Sequence, residues 1–346
     1  MFSLRRYAVY LGLAACILLT LNYFRTDLLA QAKARYSSGI PSVGTPDGKL
    51  GQTPGAVVDP STGRFQWKNV PTNYPVTSFT PLPTGKPLKL PKVQHDFSAE
   101  TEEHASKRKK HQKAVRDTFE RSWEAYRQHA WMKDELGPLS GGTKNGFGGW
   151  GASLVDNLDN LWIMGLKDQF EDAVSAAMDI DLGSATTDTV NVFETTIRHL
   201  GGFLACYDVS GDKRCLTKAI EFGEMLYKAF DTPNHMPITR WKPQQAIQEK
   251  QTADKTVLVA EIGSLCMEFT RLTMVSGDPK YYDAVDRITR LFAAQQSKTH
   301  MPGMWPVVVN ARDEDFMSDT YYTLGAMSDS LYEVSIPIYR PMESPG

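Results

Sequence analysis

The 346-residue chain has almost no net charge: 38 Lys and Arg stand against 40 Asp and Glu, leaving −2. It lacks the basic field with which a nucleic-acid binder gathers phosphates, so no nucleic-acid partner is expected. Cysteine is scarce, with four in the whole chain, too few for a disulfide scaffold. No C-x-x-C, H-E-x-x-H or G-K-[ST] pattern occurs and the seven histidines have no ligand spacing, which argues against zinc-finger, zinc-peptidase and P-loop chemistry. There is no N-x-[ST] sequon either, so N-glycosylation of the chain itself is not expected. Uncharged apolar runs of membrane length are absent, with one exception.

That exception is Tyr7 to Phe24, 18 residues without a charge, preceded by Arg5 and Arg6. As a helix it would be about 27 Å long, close to the thickness of a bilayer's hydrocarbon core. The arginines on its short side predict a cytosolic tail at 1–6, a transmembrane signal anchor at 7–24 and everything after it in the lumen. Cleavage near Ala30-Gln31-Ala32 and secretion is the alternative. Ten of the chain's 20 prolines lie between Pro41 and Pro91, and proline excludes helix and favours extension. Residues 25–106 therefore read as a disordered, mobile stem. The basic run Lys107 to Lys110 marks its end and reads as a solvated helix start.

Helical periodicity dominates from there to Glu333. Val115, Phe119, Trp123 and Tyr126 define a helix over 114–131, and Leu154, Leu158, Leu161, Ile163 and Met164 line a second. Further helices are expected over about 190–207, 213–230, 257–275 and 280–292. Two turns are near copies 66 residues apart, with Ser210-Gly-Asp-Lys matched by Ser276-Gly-Asp-Pro-Lys. In each, Gly ends one helix in the left-handed region and Asp caps the next. Repeating helix hairpins without strand alternation predict an all-α toroid or solenoid.

Three places could carry chemistry. Glu194 and Arg198 are one helical turn apart in Phe193-Glu-Thr-Thr-Ile-Arg198, an arrangement that serves equally as a surface ion pair. Gly201-Gly202 in the same helix costs about 1 kcal/mol per glycine, so a close approach is expected there. Asp156 and Asp159 share a face beside Leu158 and Trp162, either capping turns or facing a polar cleft. Glu261 opens a helix, where a carboxylate also complements the dipole. Phe147 and Trp150 in the loop Gly141 to Gly151 could stack on a sugar or pack inward. A bridge between Cys206 and Cys215 is open to the sequence but is not the favoured reading, and Cys266 is expected in the core.

These segments together resemble class I α-1,2-mannosidases, glycoside hydrolase family 47. The matching stretches are His129-Ala-Trp-Met-Lys-Asp-Glu-Leu-Gly-Pro-Leu139, Phe147-Gly-Gly-Trp-Gly-Ala-Ser-Leu-Val-Asp-Asn-Leu-Asp159, Phe193-Glu-Thr-Thr-Ile-Arg-His-Leu-Gly-Gly202, Ala260-Glu-Ile-Gly263 and Thr323-Leu-Gly-Ala-Met-Ser-Asp-Ser-Leu-Tyr-Glu333. The resemblance implies an (αα)7 barrel, a calcium ion, and inverting hydrolysis of α-1,2-linked mannose on high-mannose N-glycans. It assigns Glu194 as the acid and Arg198 as its orienting, substrate-contacting partner. It makes Glu261 a sugar-binding carboxylate and Asp156 with Asp159 an acidic pair near the cleft floor. An anchor and a stem suit members of the endoplasmic reticulum or Golgi.

The chain also departs from the family. Further hairpins are expected after Leu-Tyr-Glu333, carrying other catalytic carboxylates and the threonine that holds calcium. Residues 334–346 instead contain three prolines and read as an aberrant tail unable to extend a helix. The mannosidase domain is thus expected over 107–333, roughly the first half of the ring, with doubtful activity and stability. A catalytically inactive, glycan-binding quality-control protein is the alternative function.

Overall fold

The computed structural model describes residues 58–59, 63–85, 92 and 94–339. The apolar run 7–24 lies outside them, and no helix among the described residues is long and apolar enough to cross a membrane. The architecture is helical, as expected, with three antiparallel pairs of two-residue strands among the described residues.

Helix α1 (Glu102–Ala130) begins twelve residues before Ala114. Thr101 caps it by accepting the His104 N–H, and Glu102 and Glu103 complement the dipole in the first turn. Lys107 to Lys110 is therefore exposed helix rather than a boundary. Burial is confined to the last turns, through Trp123, Tyr126 and Ala130, while Val115 of the expected apolar face is 59% exposed. A hairpin of β1 (Glu135–Leu136) and β2 (Thr143–Lys144) follows.

The helix expected after the Gly-rich loop is two short ones, α2 (Ala152–Val155) and α3 (Leu158–Ile163), broken at Asp156-Asn157. Leu154, Leu158 and Leu161 are buried, whereas Ile163 is exposed. Helix α4 (Lys167–Ala177) has no counterpart in the sequence reading. Its buried face is Phe170, Ala173, Val174 and Ala177, and two alanines make a weak apolar signal.

Strand β3 (Val190–Asn191) leads into α5 (Val192–Thr195), a π-helical turn (Thr196–Leu200) and α6 (Gly201–Ser210). The twin turns behave as read. Gly211 and Gly277 take positive φ (74° and 77°), while Asp212 and Asp278 cap α7 (Lys213–Tyr227) and α11 (Pro279–Gln295). Between them lie β4 (Arg240–Trp241), α8 (Pro243–Gln248), β5 (Val257–Leu258), α9 (Val259–Gly263) and α10 (Cys266–Ser276). After β6 (Val308–Val309) comes α12 (Asp329–Tyr339). Helices α3, α6 and α10 pack side by side in one layer, which α9 and α12 continue, and α4, α7 and α11 back it.

Three expectations are corrected. Cys206 and Cys215 form a disulfide that ties the end of α6 to the start of α7, with Cα atoms 6.0 Å apart. The helix hairpin brings them together across a turn that the linear spacing does not reveal. Helix α12 runs through Val334 and Pro337 to Tyr339. A proline in the last turn forfeits a single hydrogen bond, which the rest of the helix tolerates. Residues 63–85, read as mobile stem, are irregular but for a 3₁₀ turn at Trp67–Asn69 and are held against the helices: Trp67 and Val70 are 3% exposed.

Candidate functional site

Asn191 starts the site. Its Oδ1 accepts the Glu194 N–H at 3.2 Å, capping α5 and fixing Glu194 in the first turn. Strand β3 is held in register by β4, with Asn191 opposite Arg240. The π-helical turn then carries Arg198, whose Nε donates to Glu194 Oε2 at 2.8 Å and whose Nη1 donates to Asp156 Oδ2 at 3.3 Å. π-turns within helices gather at functional sites. One arginine thus joins two carboxylates 38 positions apart in the chain (156 to 194), one at the end of α2 and one in α5.

The glycines explain how the helices come this close. A Cβ at Gly202 would lie 2.9 Å from the carbonyl oxygen and Cγ1 of Val155, the residue before Asp156. Gly202 therefore lets α6 approach the α2 backbone, as the cost of a helical glycine led one to expect.

Phe147 lies under the Arg198 guanidinium, 4.7 Å from ring centroid to Cζ, at cation–π distance. Its loop is organised by Asp134, a fully buried carboxylate that accepts the N–H groups of Phe147, Gly149 and Ala152 at 2.8, 2.9 and 3.1 Å. Trp150 turns inward instead, 3% exposed and donating to Ser184 O, so packing is its role.

Glu261 sits in the first turn of α9, 7% exposed, and accepts Arg240 Nη2. Burial pushes its carboxyl above the usual carboxylate range, Arg240 opposes this, and the charge of Glu194 adds to the rise. The carboxylates of Glu194 and Glu261 therefore sense one another. Asp156 is raised for the same first reason, burial, with Arg198 opposing and Asp159 and Glu194 adding. Burial works against the charge of Arg198, but Glu194 and Asp156 hold its pKa above the ordinary value. Asp159 reaches this cluster through its charge on Asp156 alone, its carboxylate accepting the adjacent Asn160 N–H at 2.6 Å rather than an arginine.

Several contributors escaped the sequence reading. Arg240 and Asn191 act through a strand pair too short to show alternation. Asp134 had one signal, an acid just before a glycine-rich loop. Asp329 opens α12 as Glu194 and Glu261 open α5 and α9, and Met327 O accepts the Ala260 N–H at 3.1 Å, docking that helix start beside Glu261. Glu268 on α10 has one enclosed carboxylate oxygen without a partner, and burial pushes its pKa up to about 7.

A layer of helix hairpins that presents carboxylates at helix starts, with arginines from a π-turn and a short strand beside them, defines a class: all-α proteins with an acid-lined polar site. The particular member of that class follows from the sequence model of Glycosyl hydrolase family 47, which matches residues 118–343, and the chain belongs to that family. The match includes residues 334–343, which the sequence reading had set apart. The human endoplasmic reticulum mannosyl-oligosaccharide 1,2-alpha-mannosidase is 36% identical over 288 residues, 81% of this chain and 37% of the relative. A Coccidioides posadasii mannosyl-oligosaccharide alpha-1,2-mannosidase is 32% identical over 267 residues, 72% of this chain and 50% of the relative. The solved alpha-1,2-mannosidase from Trichoderma reesei superposes with a TM-score of 0.60 at 28% identity, covering 66% of this chain and 50% of that one. The chain thus spans between a third and a half of the length of these relatives.

Proposed function

We propose that this chain acts on the terminal α-1,2-linked mannose of high-mannose N-glycans by inverting hydrolysis, in the lumen of the endoplasmic reticulum or Golgi. One observation carries the proposal: Arg198 bridges Glu194 and Asp156, with Glu261 within electrostatic reach of Glu194. Inversion needs one carboxyl to protonate the leaving oxygen and a second, roughly 6.5–9.5 Å away, to activate water. Glu194 is assigned the first role, held in place by Arg198. Glu261 and Asp329 are the candidates for the second. Asp329 is favoured because the residue is half-buried and, among the described residues, its carboxylate is seen to accept only the Ser330 N–H, with no arginine ion-paired to it. Asp156 and Glu261 otherwise serve as sugar contacts, and Asp159 lies at the margin.

The resemblance also implies calcium. Among the described residues no group of three or more His, Cys, Asp or Glu could hold a metal ion. The anchor at 7–24 is retained as a proposal for membrane attachment. The Cys206–Cys215 bridge suits an oxidising lumen.

A second reading is capture of the same glycan without turnover. Half-buried Phe147 beneath Arg198 supports it by placing an aromatic ring beside the two carboxylates. The purified chain incubated with Man9 oligosaccharide separates the two by chromatography of released mannose. Hydrolysis predicts release that Glu194→Gln lowers by about 10²- to 10⁴-fold. Binding without release supports capture, and neither binding nor release overturns both.

A further inference from the structure

We propose that the segment Arg64 to Thr80, irregular apart from one 3₁₀ turn at Trp67–Asn69, is a strap belonging to the scaffold of the site, with Trp67 a positioning residue for Glu194 and Glu261. The proposal rests on the assignment of those two carboxylates above. The segment lies wholly outside residues 118–343, where the family model matches.

The strap is gripped mainly by its backbone. Lys228 Nζ donates to Val70 O at 2.6 Å and Thr72 Oγ1 at 3.0 Å. Asp231 accepts the backbone N–H groups of Asn73 and Tyr74 at 2.8 and 2.7 Å, and Asp283 accepts that of Thr80 at 2.8 Å. Lys228, Asp231 and Asp283 are all buried, at 6%, 5% and 1% exposure. A buried charge is tolerated only when hydrogen-bonded, and for Asp231 and Lys228 the strap supplies those partners, mainly from its backbone. At its start, Arg64 donates to Met178 O at 2.6 Å.

Trp67 is the one large side chain that the strap buries. Its Nε1 donates to Leu182 O at 2.9 Å, and its ring lies 5.2 Å from that of Trp241. Trp241 is fully buried and forms β4 together with Arg240. Arg240 holds Glu261, and opposite it Asn191 caps the helix of Glu194. A second route closes the circuit. Trp241 Nε1 donates to Gln251 Oε1 at 2.7 Å, and Gln251 Nε2 donates to the carbonyl of Lys228, the residue that grips the strap. The β3–β4 pair is only two residues long on each side, too short to hold its register unaided. Trp67 braces it from behind.

The test compares hydrogen–deuterium exchange of the full chain with that of Trp67→Ala and Trp67→Phe. Bracing predicts about tenfold faster exchange in Trp67→Ala over 189–194 and 238–242, with 279–295 unchanged, and near-normal exchange in Trp67→Phe. Unchanged exchange at 189–194 and 238–242, or a uniform rise along the chain, would overturn it. A protease site inserted between residues 86 and 93 covers the case in which Trp67→Ala does not fold. After cleavage the strap fragment is expected to co-elute with the helical domain, and its release overturns the proposal. If the unsubstituted chain releases mannose, Trp67→Ala is expected to lower kcat about tenfold with KM little changed. Absence of release from the unsubstituted chain counts against the functional assignment alone, because exchange and co-elution do not depend on activity.

Discussion

His199 follows Arg198 in the π-helical turn and is completely buried, its ring stacked 5.0 Å from Phe222 and edge-on to Trp150. Neither ring nitrogen makes a well-formed hydrogen bond. Burial, and after it the charge of Arg198, push the pKa down to about 3, with only the Trp150 backbone acting the other way. The folded pKa lies below the unfolded 6.5, so the native state binds fewer protons between these values. Stability is then full above pH 6.5 and falls as the pH drops toward 3. At pH 5 the loss amounts to about 2 kcal/mol relative to neutral pH. His199→Phe, which keeps the ring and removes the titration, is expected to abolish that loss. Urea midpoints at pH 5 and pH 7 measure it; an unaltered pH slope in the variant would count against a buried neutral imidazole. Glu268 acts in the opposite direction. Its pKa of about 7 lies above the ordinary 4.5, so its contribution is present below pH 4.5 and lost as pH rises through 7. Glu268→Gln is expected to flatten that decline in the same titration.

At the scale of the element, the two glycines of α6 make different demands. A Cβ at Gly202 meets Val155 backbone at 2.9 Å, whereas one at Gly201 reaches Glu268 at an ordinary 3.5 Å. Gly202→Ala is therefore expected to cost about 1–3 kcal/mol through overpacking. Gly201→Ala is expected to be neutral or to gain up to about 1 kcal/mol in helix propensity. Thermal unfolding of both variants decides it, and equal effects would contradict the close approach of α6 to α2. The cost of a glycine pair in a helix was legible from the sequence, but which glycine touches which residue was not. Asp212 and Asp278 behaved as the sequence reads them because capping is local chemistry. Helix α4 was missed for the converse reason, since alanines bury surface without writing a strong apolar stripe.

For the whole molecule, the core is continuous from the strap at Trp67 to Leu331 at the start of α12. The Cys206–Cys215 bridge closes a short loop within it, with a sequence separation of 9. Loop-closure entropy predicts that Cys206→Ser with Cys215→Ser costs about 2–3 kcal/mol. Chain made under reducing conditions should unfold at the same denaturant concentration as that double variant. Peptide mapping without reductant checks the bridge directly, and an equal midpoint for oxidised and reduced chain would refute its contribution.

By itself the sequence determined what depends on near neighbours: helical periodicity, the duplicated Gly-Asp turns, the placement of Glu194 one turn from Arg198, and the motifs of the family. These properties span a few residues, so the linear order contains them. Tertiary structure alone decided which distant groups meet. It brought Asp156 to Arg198, Arg240 to Glu261 and Cys206 to Cys215, and it turned a proline-rich stretch into a strap. The physical reason is that proline dictates an extended backbone but says nothing of its partner. Only folding sets the buried charges of Lys228 and Asp231 where that backbone can satisfy them.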